Sequence, residues 1–205
     1  MKSVLHINSS IRGAEGESSR LAARQIEALR EKYPDIDVKQ RDLSIDPIPH
    51  LTAATFNAFV TSPDQRTAEQ GELVSLSDTL IEEIREVDAV VIGLPMYNFS
   101  IPSALKAYFD HIARVGVTFK YTDKGPVGLL EDKPVFVLTA RGGRYAGTPN
   151  DLETPYIKQF LGFIGLRDIR VVYAEGLGSG GDARDQSIDN ARAAITRGIA
   201  EKATA

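Results

Sequence analysis

A doubly wound α/β fold, with five parallel strands in the order 2-1-3-4-5 and helices on both faces, is predicted by two features of this sequence. Short β-branched apolar runs recur along it, and stretches of helical periodicity separate them. Such alternation requires crossover connections, which make neighbouring strands parallel and bury the central ones on both faces. At 205 residues, with 42% hydrophobic and 25% charged residues, the chain can bury one substantial core, so residues 1–205 are read as a single domain.

The first strand is VLHIN (4–8), and the helix expected from Ser18 to Tyr33 opens on two serines of the kind that cap helices. DVKQRDL (37–43), mostly polar between Val38 and Leu43, is read as an edge strand. Segment 44–67 carries three prolines and is read as a loop with a short helix. A helix from Ala68 to Arg85 leads to the strand DAVVIGL (88–94), and the next helix, to Val115, has Pro102 in its first turn. Residues 116–133, with Lys124-Gly125-Pro126 at their centre, read as a hairpin or flap. The strand PVFVLTA (134–140), a helix from Leu152 to Ile164, the strand DIRVVYAEG (168–176) and a helix from Ala183 to Ala203 complete the order. Five such units suggest a sheet of flavodoxin type, in which ligands sit beyond the carboxyl ends of the strands.

Composition excludes several functions. There is no cysteine, hence no thiolate catalysis, no disulfide and no Cys-based zinc site. The net charge of -4 gives no broad attraction for nucleic acid or an anionic membrane. The amino terminus MKSVLHINSS is unlike a signal peptide, and no apolar run reaches the roughly 18 residues that span a bilayer, so a cytoplasmic location is expected. His6, His50 and His111 are too scattered for a metal site.

Three loops carry the functional signal, because in a parallel sheet they open at one edge. NSSIRGAEGESSRLA (8–22) places hydroxyls, two glycines and a helix start together, an arrangement that either caps the helix or surrounds a phosphate. It lacks both GxGxxG and GxxxxGK[ST]. GLPMYNFSIP (93–102) sets Met96, Tyr97 and Phe99 between two prolines, and apolar residues in a loop need a partner in core, subunit or ligand. In TARGGRYAGTPND (139–151), Gly142-Gly143 permits close backbone approach, with Arg141 expected to face an electron-rich ring edge. A ligand with a phosphate at one end and a flat ring at the other, such as FMN, suits the three loops.

PMYNF (95–99), RGG (141–143), SSI (9–11), GVTFKYTDKGPVGLL (116–130) and TPYIKQFLGFIGL (154–166), in this order, resemble the bacterial FMN-dependent NADH azoreductases, which also reduce quinones. The resemblance extends over nearly the whole chain. It implies a flavodoxin-like fold, a homodimer, and FMN at the subunit interface. By position it implies that Ser10, Gly16, Glu17 and Ser18 hold the phosphate and that Met96, Tyr97, Asn98 and Phe99 line the isoalloxazine ring. Ala140, Arg141, Gly142 and Gly143 would cover the ring's pyrimidine side. Relatives often carry serine at the place of Ala140 and small polar residues at those of Gly16 and Glu17, so the phosphate is expected to rely on backbone N–H groups and Ser18.

The expected reaction is hydride transfer at the flavin N5, with no catalytic dyad. Phe99, Phe119, Tyr121 and Phe163 are expected to form an apolar box occupied in turn by NADH and by a quinone or azo acceptor, giving ping-pong kinetics. Read without the resemblance, Phe163 and its neighbour Phe160 fit core or dimer contacts. Two other functions compete: a flavodoxin-like electron carrier, and a non-catalytic α/β binding domain.

Overall fold

The structure is a computed structural model and describes residues 1–200. In chain order the elements are β1 (Ser3–Asn8), α1 (Glu17–Lys32), β2 (Asp37–Asp42), α2 (Ala53–Val60), α3 (Ala68–Arg85), β3 (Ala89–Pro95) and α4 (Ser103–Ile112). There follow β4 (Phe119–Thr122), β5 (Gly125–Gly128), β6 (Val135–Ala140), α5 (Glu153–Ile164), β7 (Ile169–Ala174) and α6 (Gly181–Ala200). Five strands form a parallel sheet in the order β2-β1-β3-β6-β7, which differs from the expected order only in counting the hairpin strands β4 and β5. The expected end of the last helix, residues 201–203, lies outside the described residues.

Burial follows position in the sheet. All seven residues of β3 are buried, whereas the edge strand β2 has none, which is why the first reads as a continuous apolar run and the second is mostly polar. Successive strand residues point to opposite faces. Leu5, Ile7, Val90 and Ile92 therefore join a core with Leu80, Leu105 and Ile157 from α3, α4 and α5. Val4, Ala89 and Val91 join a second core with Leu21, Ile26, Ala191 and Ile195 from α1 and α6. The sheet is thus clamped between three helices and two, and Asn8, Pro95, Ala140 and Ala174 end their strands at one edge.

The flap is the antiparallel hairpin β4–β5. It starts where α4 ends and is tied to the far end of α5, where Leu130 N–H donates to Ile164 C=O at 3.0 Å. A Cβ on Gly128 would stand 2.2 Å from the Gly165 nitrogen, so glycine is needed where the two backbones touch. Both helices run antiparallel to the strands, so the hairpin sits at the amino-terminal edge of the sheet, opposite the loop cluster.

Lys133, just before β6, supplies the missing end of α3. Its Nζ donates to Ile84 C=O at 2.8 Å, Arg85 C=O at 3.2 Å and Val87 C=O. These carbonyls lie at a helix end, where no further turn can satisfy them and a cation is favoured. Lys133→Met keeps the apolar stem and removes the donor, and is expected to lower unfolding stability by about 1–3 kcal/mol in urea titration. Unchanged stability would show that water replaces the ammonium without cost.

Candidate active site at the carboxyl edge

The β1–α1 loop is fixed by its buried polar side chains. Asn8 Nδ2 donates to Asp42 at 2.8 Å, and its Oδ1 accepts from Ser19 Oγ at 2.6 Å. Ser9 Oγ donates to Gly93 C=O at 2.7 Å, which locks the loop to β3. After a short 3-10 turn, Gly13–Glu15, α1 begins behind Gly16 with no side-chain cap. The expectation that serines cap α1 is corrected: Ser18 and Ser19 lie inside the first turn, and the buried Ser18 Oγ has no hydrogen-bond partner among the described residues.

The first helical hydrogen bond is Arg20 N–H to Gly16 C=O at 3.0 Å, which leaves the N–H groups of Glu17, Ser18 and Ser19 without partners among the described residues. A Cβ on Gly16 would lie 2.2 Å from Ser10 Oγ, so only glycine leaves Ser10 in place. The carboxylates that flank this turn are drawn aside. Arg20 holds Glu15 at 2.6 Å and Glu17 at 3.1 Å, and Arg184 holds Glu17 at 2.6 Å. Free N–H groups, an orphaned hydroxyl and a helix dipole fit a phosphate.

The β3–α4 loop contains a two-residue turn. Tyr97 and Ser100 exchange two N–H···O bonds of 3.0 Å, and the residues between them, Asn98 and Phe99, have φ of 51° and 66°. Positive φ at both central positions is the signature of a tight primed turn. Asparagine tolerates it, whereas a phenylalanine there carries about 1–2 kcal/mol of strain. Phe99 is 54% exposed. Met96 and Tyr97 are half-buried, and Ile11 N–H donates to Tyr97 Oη at 3.3 Å, joining this loop to the first. Ile11, Tyr97, Asn98, Ser100 and Lys106 line a cavity of 420 Å³ beside the turn. A 540 Å³ cavity lies at the opposite sheet edge, around Met1, Tyr33 and Pro134, away from the three loops.

In the β6–α5 loop, Gly142 is exposed and Gly143 half-buried, as an approachable backbone requires. Arg141 differs from expectation. Its guanidinium does not face the loop cluster but is fully buried, with Nε 2.9 Å from Glu153, Nη2 3.1 Å from Asp151 and Nη1 3.1 Å from Glu175. Thr139 and Thr154 complete its hydrogen bonds, and Tyr173 lies under its plane at 5.3 Å. The physical reason is that three carboxylates converge behind the loop, and a buried cation follows them inward. Even its backbone N–H is engaged, with Ala174 C=O at 2.9 Å.

The expected box is also divided. Phe119 meets Tyr121 at 5.6 Å and Phe163 at 4.2 Å between ring centroids, but this trio sits with the hairpin at the opposite edge of the sheet. Phe99 has a different partner, the edge of Tyr145 at 5.8 Å. Tyr145, Glu175 and Glu153 escaped the sequence reading. The one signal for the two glutamates is a set of acidic residues, in NDLE (150–153) and AEG (174–176), close behind two strand ends, and nothing local marks Tyr145. Elsewhere, His111 Nε2 bonds Pro49 C=O at 3.0 Å, and no cluster suited to a metal exists among the described residues.

Burial pushes the Glu153 carboxyl up to about 7, against the pull of Arg141 and Thr139. Burial acts the same way on Asp151, but hydrogen bonds from Thr154 and Arg141 outweigh it and leave that carboxyl below its usual value. An acid raised in the folded state stabilises it fully below its ordinary value of 4.5, and the contribution is lost as pH rises through about 7. Glu153→Gln, a neutral isostere, is therefore expected to match the wild type in stability near pH 4 and to exceed it by up to about 3 kcal/mol near pH 8. Urea unfolding at both pH values checks this, and parallel pH curves would contradict it.

Comparison with known proteins agrees with this geometry. A family model described as a flavodoxin-like fold matches residues 2–199. An FMN-dependent NADH:quinone oxidoreductase of Alcanivorax borkumensis is 54% identical over 192 residues, covering 94% of this chain and 97% of that protein. The crystal structure of an azoreductase from Bacillus anthracis superposes with a TM-score of 0.89 at 29% identity, covering 98% of this chain and 100% of the other. An FMN-dependent NADH-azoreductase of the same species, solved in complex with FMN, gives 0.87 at 26% identity and full coverage of both chains. The sheet order, the phosphate-competent turn and these matches together establish that the chain belongs to the flavodoxin-like fold family.

Proposed function

We propose that this protein is an FMN-dependent NADH:quinone oxidoreductase that also reduces azo compounds. The observation that carries the reading is the uncapped amino terminus of α1, with the orphaned Ser18 hydroxyl inside it, at the sheet edge where the β1–α1 loop touches Tyr97 and where Phe99 is exposed. When bound, FMN supplies a ring nitrogen that takes hydride from NADH and passes two electrons on. The relatives named for NADH, quinone and FMN support the same assignment.

The chain's own residues position and shield. Ser10, Ser18 and the backbone N–H groups of Glu17, Ser18 and Ser19 hold the phosphate, with Gly16 leaving the space. Met96, Tyr97, Asn98 and Phe99 form the ring's wall, and Ala140, Gly142 and Gly143 approach its other side through backbone. Arg141 acts from behind the loop. No general base is needed, because the balanced reaction consumes one proton: NADH, a proton and a quinone give NAD and a hydroquinone. A single apolar wall at Phe99 serves donor and acceptor in turn, which supports ping-pong kinetics, and azo cleavage takes two rounds.

A homodimer supports the missing half of the box. Tyr121 is 72% exposed at the opposite sheet edge, with Phe119 and Phe163 beside it, and the half-buried Tyr156 and Phe160 extend this apolar face along α5. A second copy that lays this face over the Phe99 turn completes the box from two chains. A cytoplasmic location agrees with the lack of cysteine and with the absence, among the described residues, of a helix long and apolar enough to cross a membrane.

The test is anaerobic. Protein loaded with FMN is expected to lose its visible flavin absorption on addition of NADH and to regain it on addition of a quinone. Bound flavin that stays oxidised with NADH would contradict the NADH assignment, and no bound flavin would overturn the whole reading.

A further inference from the structure

We propose that Glu175 is a positioning residue for the flavin-facing surface, acting through Arg141, Tyr145 and Ala146. The proposal rests on the reading that FMN lies against the Phe99 turn and the Gly142-Gly143 loop.

Three donors converge on a single oxygen of Glu175. Oε1 accepts from Tyr145 N–H and Ala146 N–H, each at 2.9 Å, and from Arg141 Nη1 at 3.1 Å. The loop that Glu175 begins is laced to the β6 loop by backbone bonds: Gly176 N–H to Gly143 C=O at 2.8 Å, Leu177 N–H to Arg141 C=O at 3.1 Å and Gly178 N–H to Gly142 C=O at 2.9 Å. The carbonyls of Arg141, Gly142 and Gly143 are thus turned toward β7, which orients their peptide planes, and Glu175 fixes the loop one step further on. There the Tyr145 ring leaves the backbone. It stands edge-on to Phe99 at 5.8 Å and packs over Gly143, where a Cβ would stand 2.7 Å from its ring.

Phe99 needs this support. Its φ of 66° is costly, it is 54% exposed, and Tyr145 is the aromatic partner the structure gives it. The chain of contact runs from a largely buried carboxylate to a backbone, then to one ring, then to the ring that walls the site. Such bracing is effective because it holds an approachable Gly-Gly backbone without placing a side chain in the ligand's way.

The test compares Glu175→Gln, Glu175→Leu and Tyr145→Ala with wild type, all loaded with FMN. Glutamine keeps an oxygen acceptor at Oε1, whereas leucine keeps the volume and loses every bond. Glu175→Leu is expected to shift the visible spectrum of bound FMN, to raise KM for NADH and quinone, and to lower kcat/KM by about tenfold or more. Its FMN phosphate contacts remain, so FMN binding is retained. Glu175→Gln is expected to restore the wild-type spectrum and most of the activity. Tyr145→Ala, which leaves the brace intact, is expected to raise KM in the same way, and it serves as the test should the leucine variant fail to fold. A folded Glu175→Leu or Tyr145→Ala with the wild-type spectrum and KM would overturn the proposal while leaving the reductase reading intact. A wild-type protein that binds no FMN would instead defeat the reductase reading itself.

Discussion

Three backbone N–H groups at the start of α1 have no partner among the described residues, and the site is arranged around leaving them so. A helix normally satisfies its first turn with a capping side chain, and Gly16 supplies none. Its lack of a side chain keeps Ser10 in place, while Arg20 and Arg184 pull Glu15 and Glu17 out of the field that an anion would enter. Leaving donors open costs stability unless a ligand fills them. The parallel sheet makes the arrangement useful, because it delivers the β3 and β6 loops to the same edge.

A second constraint lies behind the third loop. Arg141 is surrounded by Asp151, Glu153 and Glu175, more negative charge than one guanidinium balances. Burial works hardest on the most enclosed member, Glu153, and raises its carboxyl to about 7. What this network gives in return is a rigid Gly-Gly loop, fixed from behind, beside a turn that carries a strained phenylalanine. Strain at Phe99 persists because its flanks are tied, by Tyr97 and Ser100 to each other and by the buried Ile101 and Pro102 to α4.

The layered fold was legible in the sequence because each layer leaves a period. β3 and β6 are buried on both faces and read as apolar runs, α1 and α5 carry helical stripes, and DVKQRDL is mostly polar, as an edge strand with no buried residue allows. The three loops at one edge followed from parallel pairing alone. Two features were not legible. The direction of Arg141 depends on carboxylates 10, 12 and 34 residues away converging in space, and no local pattern encodes that. The four aromatic residues of the expected box lie on both edges of the sheet, and a linear sequence does not tell an intrachain box from one shared between copies.

The most direct measurement of the proposed phosphate cradle compares the affinities of the protein for FMN and for riboflavin, which differ only in the phosphate. Charge-assisted bonds from the α1 turn are expected to make FMN bind about 100-fold more tightly or better. Gly16→Val is expected to bring the FMN affinity down toward that of riboflavin. Equal affinities of the wild-type protein for the two ligands would contradict the assignment of that turn to the phosphate, whatever the enzyme's activity.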